Sequence, residues 1–457
     1  MSERFKTFNR DQAFLLPPSV QDWLPRGDLA YFIIDVVETL DLSEIYRHYQ
    51  VAQTPEGLRG KAASGQPPFH PKVMVGLLLY AYCLGTPSSR RIAWLCERDA
   101  GYKIVAANEQ PDFHTISEFR RIHLKALKGL FVQVLQLARE AGLVKLGHVA
   151  LDGTKVKANA SRHKAMSYAR MCEKEAEYAR QVEELLKRAQ ETDEAEEAQY
   201  GKDRRGDELP EELRFRESRL RKIREAKRAL EEQALEKARA EGKVDADDRP
   251  IPPKRGRPPE TPPGTPEPKA QRNFTDPESR IMKMSHGSYD QAYNGQAAVD
   301  ADSQIIVAER MTNEPNDKRQ LDPMVKQIRQ NLGKNPKELS ADSGYYSEAS
   351  VRMLRRRRID DYVCPDRLKH GESPPPVRGR LPKGLAFIDR ARRKLLLKKG
   401  RLTYARRKET VEPVFGRMKQ ARGLRQFLLR GLEKVSGEWS LWCTTHNLLR
   451  IWAVGPA

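Results

Sequence analysis

Two stretches with the alternation of half-buried strands, "GHVALDGTKVKA" at 147–158 and "YDQAYNGQAAVDADSQIIVAERMT" at 289–312, lie far apart in a chain of 457 residues. Between them the composition turns to charged helix and then to proline. "EKEAEYARQVEELLKRAQETDEAEEAQYG" and "ELRFRESRLRKIREAKRALEEQALEKARAEG" carry narrow apolar stripes, through Val182, Leu185, Leu186 and Ala189 and through Leu220, Ile223 and Leu230. Neither has strand character, so any sheet must be assembled across them. They are expected to form an antiparallel helical hairpin inserted over 161–248. Residues 249–269, "RPIPPKRGRPPETPPGTPEPK", are too rich in proline to extend either element and read as a basic linker.

Before the interruption, residues 1–145 read as an all-α unit. "LAYFIIDVVETLDLSEIYRHY" and "PKVMVGLLLYAYCLG" are apolar at helical spacing, and Pro71 suits a first helical turn. "TPSSRRIAWLCERDAGY" is a short helix closing at Gly101. "DFHTISEFRRIHLKALKGLFVQVLQLAREAG" opens with Thr115 and Glu118 at capping-box spacing and runs to Gly142. The unit has the proportions of a helix-turn-helix, with Arg90, Arg91, Arg120, Arg121, Lys125 and Lys128 available to phosphates, and equally those of a bundle with a solvated basic face. After the interruption strands and helices alternate to 457, which predicts an α/β domain with a mixed sheet flanked by helices, formed by 146–160 and 270–457.

Charge narrows the partner. Lys and Arg number 83 against 63 Asp and Glu, a net +20, which points to a polyanion. No apolar run approaches the roughly 20 residues needed to span a bilayer, and "MSERFKTFNRDQAFLLPPS" lacks a signal-peptide pattern, so nucleic acid remains. Five scattered cysteines without zinc or redox spacing fit a reduced cytoplasmic setting and a place in the core. Within the linker, "KRGRP" resembles the core of an AT-hook, in which Arg255 and Arg257 would enter a narrow minor groove.

Two acids stand where ligand-binding residues gather, at or near strand ends. Asp152 lies in "ALDGTK" with Gly153 beside it, and Asp342 lies in "SADSGYY" with Gly344 permitting a sharp turn. Each alone is equally a turn-forming aspartate. A third acid would complete a two-metal site for in-line displacement at phosphorus. "ETVEPVFGRMK", 409–419, offers Glu409 and Glu412, and the residues alone do not choose between them.

Taken together, "ALDGTKVKANASRHK", "ADSGYYS", "ETVEPVFGRMK" and "HNLLR", following "PDFHTISEFRR", resemble a bacterial insertion-sequence DDE transposase with a ribonuclease-H-like catalytic domain, closest to the IS eleven-eighty-two group. The resemblance spans nearly the whole chain, four motifs in order. It implies binding of terminal inverted repeats and target DNA, Mg²⁺-dependent cutting at the element ends (Mn²⁺ as substitute), and strand transfer by the freed 3′-hydroxyl. A homodimer in the active complex and a bacterial cytoplasmic, nucleoid-associated setting are the accompanying expectations. Asp152 matches the first catalytic and metal-binding acid and Asp342 the second. The family's last motif places a lysine seven residues after its glutamate. Lys419 stands there relative to Glu412, whereas Glu409 would require Gly416 to serve. Tyr404 and Arg407 keep their mutual spacing but stand one residue too far upstream, with Lys408 where arginine is expected; all three, with Lys419, are candidate DNA contacts.

Physics favours the same glutamate. Lys419 lies within about 20° of Glu412 around an ideal helix. Pro413 should break the helix and put Glu412 at a fresh N-terminus, which favours the ionised carboxylate. The three acids are then expected within roughly 4–8 Å of a common point, holding ions about 3.5–4 Å apart. A nuclease without strand transfer, or an inactive DNA-binding relic, are the competing readings.

Overall fold

The computed structural model describes residues 19, 22–52, 67–200, 211–252, 259–365, 373–381 and 384–455. Among the described residues seven helices come first: α1 (Leu29–Thr39), α2 (Ser43–Ala52), α3 (Pro71–Cys83), α4 (Ser89–Arg98), α5 (Ala100–Val105), α6 (Phe113–Ile122) and α7 (Leu124–Glu140). The single long helix expected from 112 to 142 is two, because His123 interrupts it. The expected capping box does not form either. Asp112 caps α6, accepting from the N–H groups of His114 and Thr115 at 2.7 and 3.0 Å, while Glu118 pairs with Arg121. An aspartate one residue before the helix satisfies two orphan donors at once, which leaves Thr115 no capping task.

β1 (His148–Lys157) leads into the short β2 (Ala165–Ser167), then α8 (Tyr168–Tyr200) and α9 (Glu211–Ala240), the expected hairpin. It has a small core of its own around Met171, Ile223, Ala226 and Leu230. β3 (Gln271–Asn273) returns to pair with β2, closing the base of the insertion. There follow β4 (Arg280–Lys283), β5 (Tyr289–Asp300), β6 (Ile306–Thr312), α10 (Leu321–Leu332), β7 (Glu338–Ala341), α11 (Glu348–Arg356), β8 (Asp360–Val363), α12 (Phe387–Leu396), α13 (Lys398–Gly416) and α14 (Leu432–Val454).

The main sheet runs β4-β5-β1-β7-β8, with β6 also on β5. β1 is its pivot: antiparallel to β5 on one side and parallel to β7 on the other, with β8 parallel beyond. A long antiparallel meander followed by parallel strands reached through helices is the ribonuclease-H-like order. One continuous buried cluster extends from α1 and α3 through α7 and the sheet to α14. No helix of the described residues is long and apolar enough to cross a membrane.

Trp439 of α14 fixes one face of the sheet. It is fully buried, its ring lies where a side chain on Gly295 would be, and its indole N–H donates to the Gln296 carbonyl at 3.3 Å. Gly295 opposes Thr154, so Trp439 covers the same face as Thr154 and Asp152. Trp439→Ala is expected to cost about 3–5 kcal/mol, read as a lowered thermal midpoint.

Candidate active site

β7 ends at Ala341, paired with Leu151, and the next residue on each strand is an aspartate. Asp152 therefore sits in mid-strand rather than at a strand end. β1 continues to Lys157 along β5 after losing its β7 partner, which opens the sheet beside Asp152. Asp342 leaves β7 and caps a 3₁₀ turn, Ser343–Tyr345, accepting from the Gly344 N–H at 2.9 Å.

Arg407 of α13 reaches into this opening and donates from Nη1 to Asp152 Oδ2 at 2.6 Å; the Gly153 N–H donates to Oδ1 at 2.9 Å. Both partners of the ion pair are largely buried, with side chains 10% and 20% exposed. Burial pushes the Asp152 carboxyl up to about 6, Arg407 pulling it down and the Asp342 charge pushing it further up. Asp342 is raised as well, by burial first and then by Asp317. Two partly buried acids on neighbouring strands have one guanidinium close by, bonded to Asp152 alone, an arrangement short of positive charge.

Asp317, which the sequence reading missed, belongs to the same neighbourhood. Its Oδ1 accepts from the side-chain amides of Asn294 and Gln296 at 2.8 and 2.7 Å. Tyr345 donates its hydroxyl to Gln296 Oε1. A Cβ on Gly153 would stand 2.5 Å from Gln296 Nε2 and 2.8 Å from Asp317 Oδ1. The signal was in "YNGQ": amides at alternate positions of an otherwise apolar strand place polar groups on one buried face.

The third motif departs from expectation. α13 runs unbroken from Lys398 to Gly416 with Pro413 inside it, so Glu412 is not at a helix N-terminus. Pro413 cannot donate to the Glu409 carbonyl; Gln304 Nε2 donates to that oxygen instead, at 3.2 Å. The irregularity comes later, as a π turn over Arg417–Ala421. Glu412 and Glu409 are both exposed, and among the described residues neither side chain makes a hydrogen bond or ion pair. No three His, Cys, Asp or Glu side chains of the described residues stand close enough to hold a metal ion together. Lys419 sits in the π turn, where its Nζ donates to the Lys155 carbonyl at 2.8 Å; burial pushes it down to about 8.

Among the expected DNA contacts, Arg407 is committed to Asp152. Tyr404 is half-buried under the Arg407 guanidinium and Lys408 is exposed. Arg120 is buried and donates to the Pro87 carbonyl at 2.7 Å, so it does not face phosphate. Arg121 is exposed, paired with Glu118. Arg90 and Arg91 lie over the rings of Phe113 and Trp94. Arg255 and Arg257, with the rest of "KRGRP", lie outside the described residues.

A family profile described as Transposase DDE domain matches residues 243–448, and one described as Transposase domain (DUF772) matches residues 18–121. The first match contains Asp317, Asp342 and Glu412 and starts beyond β1; it is the β1–β7 register that brings Asp152 to the same place. No curated protein matches the chain, and no solved structure does.

Proposed function

Because this chain belongs to the insertion-sequence DDE transposases, we propose that it binds the terminal inverted repeats of its element, cuts DNA at the ends and joins the freed 3′-hydroxyls to target DNA. The observation that carries this reading is the partly buried Asp152–Asp342 pair at the centre of a ribonuclease-H-like sheet, with Arg407 beside Asp152 as counter-charge. Both acids offer hard oxygen donors in a setting short of positive charge, which fits Mg²⁺. Paired Mg²⁺ ions there would activate a water or 3′-hydroxyl and stabilise the leaving oxygen. Asp152 and Asp342 would hold them, with Glu412 joining from α13. Arg407 keeps Asp152 oriented while no cation is present. Lys419, Lys408 and the N-terminal arginines left exposed, Arg90 and Arg91, are the proposed DNA contacts.

In the same proposal residues 1–145 engage DNA or a second subunit, 146–160 with 270–457 form the catalytic unit, and the active complex is a homodimer in the bacterial cytoplasm. A joining assay with pre-cut ends and Mg²⁺ tests the reading. Joined product is expected; cutting of intact ends with no joined product from pre-cut ends would reduce the protein to a nuclease.

The raised Asp152 carboxyl gives a pH dependence. An acid raised in the folded state binds more protons there than when unfolded, so its contribution to stability is present below its ordinary pKa of 3.8 and is lost as pH rises through about 6. The cation-free protein should lose stability over that interval at this site. Mn²⁺ affinity should rise over it, as the proton no longer competes. Mn²⁺ titrations at about pH 5 and pH 7.5, followed by electron paramagnetic resonance, check this; equal affinities would contradict it.

A further inference from the structure

Asp317 lies in the loop between β6 and α10, with its Oδ1 2.8 Å from where a Cβ on Gly153 would be. Side chains alternate along β1, and residues directly opposed across β1 and β5 share a face. Asp152, opposite Ala297, points to the face covered by Trp439 and α13. Gly153, opposite Gln296, points to the other. There the Asn294 and Gln296 amides converge on Asp317 Oδ1. Gln296 also donates to Asn294 Oδ1, at 3.0 Å.

The other carboxylate oxygen reaches the second strand end. A Cβ on Gly344 would lie 3.4 Å from Asp317 Oδ2 and 3.1 Å from Asp342 Oδ1. One side chain thus touches the ground beneath both glycines that follow the two acids. Tyr345, the residue after Gly344, is fully buried and ties the same turn to Gln296. The bracket crosses from β5 under β1 to the turn after β7, the gap that the end of β1–β7 pairing leaves open.

We propose that Asp317 is a positioning residue, a clamp behind the sheet that holds the strand ends carrying Asp152 and Asp342 at one fixed separation. This rests on the assignment of those acids as the cation site. It works as a hydrogen-bond acceptor for two amides, and the role explains why residues 153 and 344 are glycine: a side chain at 153 would occupy the place of the bracket itself. Groups behind metal ligands that fix their orientation characteristically change metal affinity by about 10- to 100-fold when removed.

The test uses the full-length protein, Mn²⁺ as probe, binding read by electron paramagnetic resonance, and melting recorded alongside. Asp317→Ala is expected to weaken Mn²⁺ binding about 10- to 100-fold and to raise the Mg²⁺ concentration needed for half-maximal cleavage by a similar factor. Asp317→Asn keeps a carbonyl oxygen for both amides and should restore most of the affinity. Gly153→Ala, which leaves every carboxylate in place, should reproduce the Asp317→Ala loss. A purely structural role would lower the melting midpoint of all three variants without moving the Mg²⁺ requirement, and that result overturns the proposal. So does an Asp317→Asn variant as impaired as Asp317→Ala, which would make the charge rather than the acceptor essential. Asp152→Asn and Asp342→Asn serve as references. If they lose Mn²⁺ while Asp317→Ala does not, the clamp alone is wrong; if they retain it, the cation site and the clamp fall together.

Discussion

Asp152→Asn and Asp342→Asn are each expected to abolish strand cleavage, by on the order of a thousandfold or more, while binding of inverted-repeat DNA stays within about twofold. The size follows from what an acid does at a cation: losing one anionic ligand removes several kcal/mol of differential stabilisation, and each 1.4 kcal/mol or so is tenfold in rate. DNA affinity is spared because it arises from cations meeting phosphates. The variants should differ in stability. Asp152→Asn leaves an acceptor but no counter-charge for the buried Arg407 guanidinium, which it meets at 2.6 Å in the native protein; this costs on the order of 1–3 kcal/mol. Asp342→Asn keeps that pair and lowers the repulsion on Asp152. Cleavage of an end duplex, end binding at fixed salt and a thermal melt decide it. Activity surviving in either variant would remove that residue from the site.

What could be read from residues alone followed from period and composition. The hairpin was legible because its apolar stripes are narrow and its flanks charged; the structure gives it a separate core of Met171, Ile223, Ala226 and Leu230. Asp152 and Asp342 stood out as acids against apolar strands. Their adjacency did not, because it depends on a β1–β7 register set across the interruption. Arg407 and Arg120 looked like phosphate ligands because sequence does not reveal which way a basic side chain turns, and both turn inward. Pro413 misled for a different reason. A proline breaks a helix through an unsatisfied carbonyl and a clash, and here the Gln304 amide on the β5–β6 turn satisfies the Glu409 carbonyl. Asp317 was hidden in "NEPNDKR", a stretch with the composition of any turn.

Glu412→Gln is expected to lose cleavage as completely as the aspartate variants, and Glu409→Gln to retain it within about threefold. The N-terminal charge effect of a broken helix no longer supports this choice, since α13 is continuous. The edges of α13 do. Tyr404, Lys408 and Glu412 stand at i, i+4 and i+8 and form one ridge along the helix. Tyr404 is pushed up to about 12, by burial first, then by Cys364 at the end of β8, with the Asp342 charge contributing. The Tyr404 end of that ridge lies near Cys364, just past β8, and Asp342, just past β7. Glu409 is on the opposite edge with Arg406, which pairs with Asp302 at 2.9 Å, and with the carbonyl held by Gln304. It faces the β5–β6 turn, remote from both aspartates. At about 100° per residue both glutamates stand roughly 140–160° around α13 from Arg407, so α13 must shift before either meets the pair; Glu412 is favoured because its edge carries Tyr404, the residue that senses the Asp342 charge. Single-turnover cleavage of a pre-bound end at saturating Mg²⁺ separates the two. If Glu409→Gln is the inactive variant, the glutamate assignment is wrong.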